Sequence, residues 1–219
     1  LELLDNDRML YNFRRAFGVD TKGAQPLGGW DSPTGLLRGH STGHYISALA
    51  LAYASSGDSG LREKLEEKLD YIIHELRTLQ LMSEGSPEDF ETKCTPTNAA
   101  QSLWSTDPSV WGEGFISAYS PDQFALLEKK TPYSTIWAPY YTLHKLMAGF
   151  IDAYTYAGNE EALDIAKDLG KWVYRRLSIC TTPELRAEMW SMYIAGEYGG
   201  MNESMARLYN ITGDIEYLE

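Results

Sequence analysis

The sequence predicts an all-α protein assembled from stacked helical hairpins, and three observations predict it. First, three segments repeat one pattern: "LALAYASSGDSGLREKL" from Leu49, "FIDAYTYAGNEEALDIA" from Phe150 and "MARLYNITGDIEYLE" from Met205. In each, a tyrosine (Tyr53, Tyr154 or Tyr209) precedes a glycine (Gly57, Gly158 or Gly213) by four residues, and Asp or Asn follows the glycine. Second, apolar residues recur at spacings of three and four, as in Ile46, Leu49, Ala50 and Tyr53, and again in Leu143, Met147, Phe150, Ile151 and Tyr154; this is the stripe of a helix that faces a core. Third, no stretch of six or more residues alternates apolar with polar, so no strand is expected.

In chain order, the first landmark is "GGWDSPTGLLRGHSTGHY" from Gly28, a glycine-rich turn running into a helix. It places His40 and His44 at i and i+4, on one helix face. The first hairpin follows, its helices separated by Gly57 as a left-handed stop and by Asp58 as the cap of the next helix. From Ser83 to Thr135 the sequence becomes rich in Pro, Ser, Thr, Gly and Trp. A loop of that length inside a compact domain is usually functional, and an insertion forming a wall or lid is expected there. "WAPYYTLHK" from Trp137 opens the next helix with a proline suited to its first turn and puts Tyr140, Tyr141 and His144 within one turn of each other. The hairpin at Gly158 and Asn159 follows. The hairpin at Gly213 and Asp214 is only one turn into its second helix at Glu219, and the spacing of the glycines fits a repeat of about fifty residues with one unit hidden by the insertion. This predicts part of a larger helical assembly, with the open row of helices available for self-association. A chain that starts without Met or a signal pattern likewise suggests residues ahead of Leu1.

Composition narrows the function. The chain has 219 residues, 43% of them hydrophobic, enough for a real core. Its 31 Asp and Glu against 19 Lys and Arg give a formal charge of −12, and no basic run is interleaved with aromatics, so a nucleic acid is not an expected partner. No window is long and apolar enough for a membrane span. Cys94 and Cys180 stand far apart, in neither a paired nor a dense pattern, and leave the compartment open. Six Trp and fifteen Tyr point to a carbohydrate, because such rings cover apolar sugar faces while their polar tips reach hydroxyls.

Each candidate residue has a plain structural alternative. His40 and His44 have zinc-ligand spacing, but "HSTGH" lacks the glutamate of H-E-x-x-H and a third ligand; the alternatives are polar ligand recognition or two helix histidines bonded to carbonyls. No metal ligand is assigned. Tyr140, Tyr141 and His144 can bind hydroxyls or pack as core residues with satisfied tips. "EYGGMNE" brings Glu197, Asn202 and Glu203 to a helix start, where two carboxylates could serve glycoside chemistry, yet Glu203 and Arg207 also form a favourable i, i+4 surface pair.

Taken together, "GGWDSPTGLLRGHSTGHYISALALAYASSGD", "GFISAYSPDQF", "WAPYYTLHKLMAGFIDAY" and "EYGGMNESMARLYNITGD" resemble, in order, the β-L-arabinofuranosidase families, glycoside hydrolases 127 and 146. The resemblance implies that residues 1 to 219 form the N-terminal portion of an (α/α)6-barrel catalytic domain, to be followed by β-sandwich domains, and that the enzyme releases terminal β-L-arabinofuranosyl residues with retention. It further implies a zinc-bound cysteine nucleophile in a Cys-Cys segment, zinc ligands from a Glu-x-Cys segment and a glutamate acid/base. This chain contains neither segment, so zinc is expected in the full-length enzyme, no cofactor in this chain, and no catalytic residue is assigned. By the resemblance His144 matches a substrate-binding histidine, and Trp30, Asp31, His40, His44, Tyr140, Tyr141, Glu197, Asn202 and Glu203 join it as the sugar-contacting set. The rival expectations are another helical-toroid carbohydrate enzyme, such as an unsaturated uronyl hydrolase, or a helical-repeat scaffold without chemistry.

Overall fold

The structure, a computed structural model, describes residues 1, 3–133, 135–192 and 199–219. Among these residues the chain is all helical, and the single strand-like feature is one bridge between Thr95 and Asn98. The α-helices are α1 (Asn6–Ala16), α2 (His40–Ser55), α3 (Ser59–Gln80), α4 (Asp122–Glu128), α5 (Pro139–Ala157), α6 (Glu160–Cys180), α7 (Pro183–Met192) and α8 (Gly199–Thr212).

The hairpins form as the sequence predicts, with one exception. Asp58 caps α3 by accepting from the Leu61 amide at 2.9 Å, and Asn159 caps α6 by accepting from the Ala162 amide at 2.8 Å. Gly158 stops α5 in the left-handed region at φ 71°, and Gly213 takes φ 73° after α8. Gly57 is the exception, because α2 already ends on an extended Ser56 (φ −76°, ψ 129°). The Ser56 hydroxyl accepts from the Asp58 amide at 3.2 Å, and this local turn carries the chain round without a positive φ at Gly57.

The helices lie in two rows. One row runs α2, α5, α8; the other runs α1, α3, α6 and the final turn at Ile215–Tyr217, and each hairpin spans the two. The most extensive pairing is α2 with α5. Two glycines allow it. A Cβ on Gly43 would collide with the Lys145 carbonyl, and one on Gly149 would stand 2.7 Å from the Gly43 oxygen, so the two backbones meet directly. The predicted stripes face inward: Ile46, Leu49, Ala50, Leu143, Met147, Phe150 and Ile151 are all fully buried.

The segment from Ser83 to Thr135 is packed, and much of it belongs to the core. It contains three single turns of 3-10 helix, at Pro87–Asp89, Gln101–Leu103 and Pro108–Val110, and then α4. Trp111, Phe115 and Phe124 are fully buried and gather on Trp172 of α6, with ring centroids 4.7 Å (Phe115) and 5.2 Å (Phe124) from it. Trp172 Nε1 donates to the Trp111 carbonyl at 2.9 Å, so the indole is buried without an orphaned donor. Arg176 of α6 grips Glu128 of α4 with two hydrogen bonds, at 2.7 and 2.5 Å.

Candidate active site

The site starts in the turn before α2. Gly35 lets the chain fold tightly beneath Trp30, since a Cβ there would meet the Trp30 carbonyl. Asp31 is thereby brought back onto the start of α2 and buried. Its Oδ1 accepts from the Gly39 amide at 2.7 Å; its Oδ2 accepts from Ser41 Oγ at 2.5 Å and lies 3.1 Å from His40 Nδ1. The free amides of a helix start favour a carboxylate in this place. His40 Nδ1 is also 2.8 Å from the Leu37 carbonyl. Two acceptors on one nitrogen place a proton on Nδ1, which donates to them. Asp31 therefore orients His40.

Around His40 the rings form a continuous wall. His40 lies 6.3 Å from Trp30, 6.2 Å from His44 and 6.3 Å from Tyr141 by ring centroids, and Tyr141 lies 6.0 Å from His144. The close approach of α2 and α5 creates this wall, because the two histidines of one helix and the Tyr–His pair of the other start from adjoining backbones. Lys145 Nζ sits 4.9 Å from the Tyr141 ring centre. His144 is half-buried, with Nδ1 sealed from solvent and without a hydrogen-bond partner among the described residues. The backbone of Gly200 at the start of α8 presses on its ring, where a Cβ would overlap it. Burial, with the neighbouring Lys145 and His44 adding to it, pulls the His144 pKa down to about 4; burial, Lys145 and His40 lower that of His44. Both imidazoles are neutral at pH 7 and offer hydrogen bonds to neutral partners.

One member of the wall escaped sequence reasoning. Trp137 stands edge-to-face with Trp30 at 6.2 Å, and the half-buried Tyr133 lies 6.3 Å from it. The fully buried Gln123 of α4 holds the two tryptophan loops together, donating to the Leu36 carbonyl at 3.0 Å and accepting from the Trp137 amide at 3.1 Å. A tryptophan directly ahead of the Ala-Pro helix start was the available signal. Nothing in the sequence pointed to Gln123.

The remaining candidates lie elsewhere. Tyr140 turns into the core, 3% exposed, with ring contacts to Phe124 at 5.0 Å and Trp190 at 5.3 Å. Glu203 is exposed, 3.7 Å from Arg207, which itself binds Asp152 of α5 at 2.6 Å; the i, i+4 surface pair is what forms. Asn202 lines a separate cleft with Met201, Met205 and residues of α6. Glu197 lies outside the described residues.

The wall thus offers the exposed indole of Trp30 and the neutral imidazoles of His44 and His144, a surface for a small polyol. The family model described as "Beta-L-arabinofuranosidase, GH127 catalytic domain" matches residues 1–219. The chain belongs to this glycoside hydrolase family. A comparison with curated proteins gave no match. Membership of the GH127 family makes this a glycoside hydrolase chain, whose substrate class is carbohydrate.

The described residues of this family member do not fit the zinc centre that the resemblance implies. Among them no group of three or more His, Cys, Asp and Glu is placed to hold a metal ion. Cys94 is buried and Cys180 half-buried on α6, both as free thiols, and burial pushes both thiols up from their ordinary value. Neither is an activated thiolate. Among the described residues no helix is long and apolar enough to cross a membrane.

Proposed function

We propose that this chain supplies the sugar-holding wall of an enzyme that releases terminal β-L-arabinofuranosyl residues from plant-type glycans or glycopeptides with retention of configuration. The observation that carries this reading is the ring wall Trp30–His40–Tyr141–His144, built on the adjoining ends of α2 and α5. Trp30, 66% exposed, is a plate for the apolar face of a furanose. The imidazoles of His40, His44 and His144 form hydrogen bonds with its hydroxyls, and Asp31 keeps His40 in register. The neutral imidazoles of His44 and His144 suit the hydroxyls of a neutral pentose.

These residues bind and orient. None of them is assigned as the nucleophile, and the 219-residue chain alone is expected to bind arabinofuranosides without hydrolysing them. In an enzyme that contains this chain, L-arabinose release from a β-L-arabinofuranoside is the direct test, with proton NMR of the first-formed anomer reporting retention. His144→Ala should lower kcat/KM by about 2 to 4 kcal/mol of transition-state stabilisation while the circular dichroism stays unchanged. An unchanged kcat/KM would make His144 a packing residue and remove the support for the wall.

A further inference from the structure

Beside the turn that follows Asp31 lies a cleft of about 350 Å³ lined by Asn12, Arg15, Thr34, Arg38, Gln101, Ser120 and their neighbours. Asn12 joins the two places by donating to the Asp31 carbonyl at 2.7 Å. In a chain with a net charge of −12, the cleft lining holds two arginines and no carboxylate.

Arg38 is the unusual member. It is 8% exposed, yet its hydrogen bonds all go to uncharged acceptors: Nε to the Ala118 carbonyl at 3.0 Å, and Nη1 to the Gly35 carbonyl at 2.9 Å and to Gln101 Oε1 at 3.2 Å. Nη2 has no hydrogen bond to a described residue. The guanidinium lies 5.4 Å from the Trp104 ring centre and 5.2 Å from that of Tyr119, which fixes its planar fork. Arg15 is exposed, makes one hydrogen bond to the Pro33 carbonyl at 3.2 Å, and stands close enough to oppose the Arg38 charge. Burial pulls the Arg38 pKa down to about 10.

Two buried carboxylates on segments that adjoin the lining, Asp31 and Asp122, are committed to other donors. Asp31 holds Gly39, Ser41 and His40; Asp122 holds the Ser105 amide at 2.8 Å, Ser120 Oγ at 2.6 Å and the Thr92 hydroxyl. Two more polar atoms of the lining residues, Asn12 Oδ1 and Trp104 Nε1, are sealed without a partner among the described residues. Buried charges in proteins are nearly always paired, because an isolated one loses its hydration without return. Two like charges side by side, one of them buried, with a preformed fork and no acid, make a receptor for an anion.

We propose that this cleft binds a small oxyanion, a carboxylate or a phosphate group, with Arg38 as the fixed fork and Arg15 as the mobile second arm. The ligand is a charged group distinct from the neutral sugar held by the ring wall, such as the acid group of a uronate or of a phosphorylated metabolite.

The test follows the arginine Nε–Hε signals of the 15N-labelled chain during titration with inorganic phosphate and, separately, with galacturonate. Ionic strength is held constant with sodium chloride, and galactose serves as the neutral control. Arg38 and Arg15 signals should shift saturably with at least one anion and not with galactose. Saturation by phosphate alone would point to a phosphorylated ligand, and saturation by galacturonate alone to a carboxylated sugar. Arg38→Gln removes a buried side chain and risks the fold, so the deciding variant is Arg15→Gln, which changes an exposed residue and should weaken binding about tenfold. Shifts that stay linear with both anions, shifts of the same size with galactose, or an affinity unchanged in R15Q would each overturn the proposal.

Discussion

At the residue scale the site depends on keeping His144 neutral. An unfolded chain takes up a proton on histidine near its ordinary value of 6.5, whereas the folded chain waits until about 4. Between these values the unfolded state binds more protons, so the His144 contribution to stability is complete above pH 6.5 and is lost as the pH falls toward 4. His44, also lowered, contributes with the same sign. His144→Gln should therefore flatten the loss of stability between pH 6.5 and 4, measured by urea unfolding at a series of pH values; an unaltered slope would contradict the burial assigned to this ring. The partner position makes a second prediction. In Gly200→Ala the new methyl must displace the His144 ring, costing about 1 to 3 kcal/mol by overpacking and weakening arabinofuranoside binding together with stability. Calorimetry of the variant with and without sugar would check both effects.

At the element scale, the contact of α2 with α5 decides where the wall lies. Ordinary helix pairs keep their axes about 8 to 10 Å apart. Gly43 and Gly149 remove the side chains that would enforce that spacing, and the Lys145 carbonyl occupies the position a Cβ at Gly43 would take. Gly43→Ala should push two backbones apart, since no flexible side chain can yield, and cost about 1 to 3 kcal/mol or more. Gly57→Ala is the matched control. Its backbone is not left-handed and its surroundings are open, so the substitution should be neutral or stabilise by about 0.4 to 1 kcal/mol. Thermal unfolding of both variants would test the contrast, and equal shifts would remove the special status of Gly43.

On the scale of the whole molecule, the long segment between α3 and α5 serves as core. Trp111 is fully buried, and its carbonyl is the acceptor for the Trp172 indole. Through Gln123, the same segment also spaces the two tryptophan loops of the site. Trp111→Ala should cost about 3 to 5 kcal/mol, the loss expected for a buried aromatic. Limited proteolysis of the native chain should spare residues 111 to 128 until global unfolding, whereas a detachable lid would be cut there first.

Much of this was legible in the chain itself, because much of it is local. Helix periodicity, the caps at Asp58 and Asn159, the left-handed stop at Gly158 and the i, i+4 placement of His40 and His44 each depend on residues a few positions apart, so a string of letters suffices to fix them. Tyr140 and Tyr141 mark the limit. They are adjacent on one helix and equally plausible as sugar contacts, yet a rotation of about 100° sends one into the aromatic core and leaves the other on the wall. Which face is core depends on what packs against α5, and α2, α4 and α8 come from distant parts of the chain. For the same reason Trp137, Gln123 and the unpaired Arg38 emerged only from the tertiary structure: their roles arise where separate loops meet, and sequence spacing carries no record of that approach.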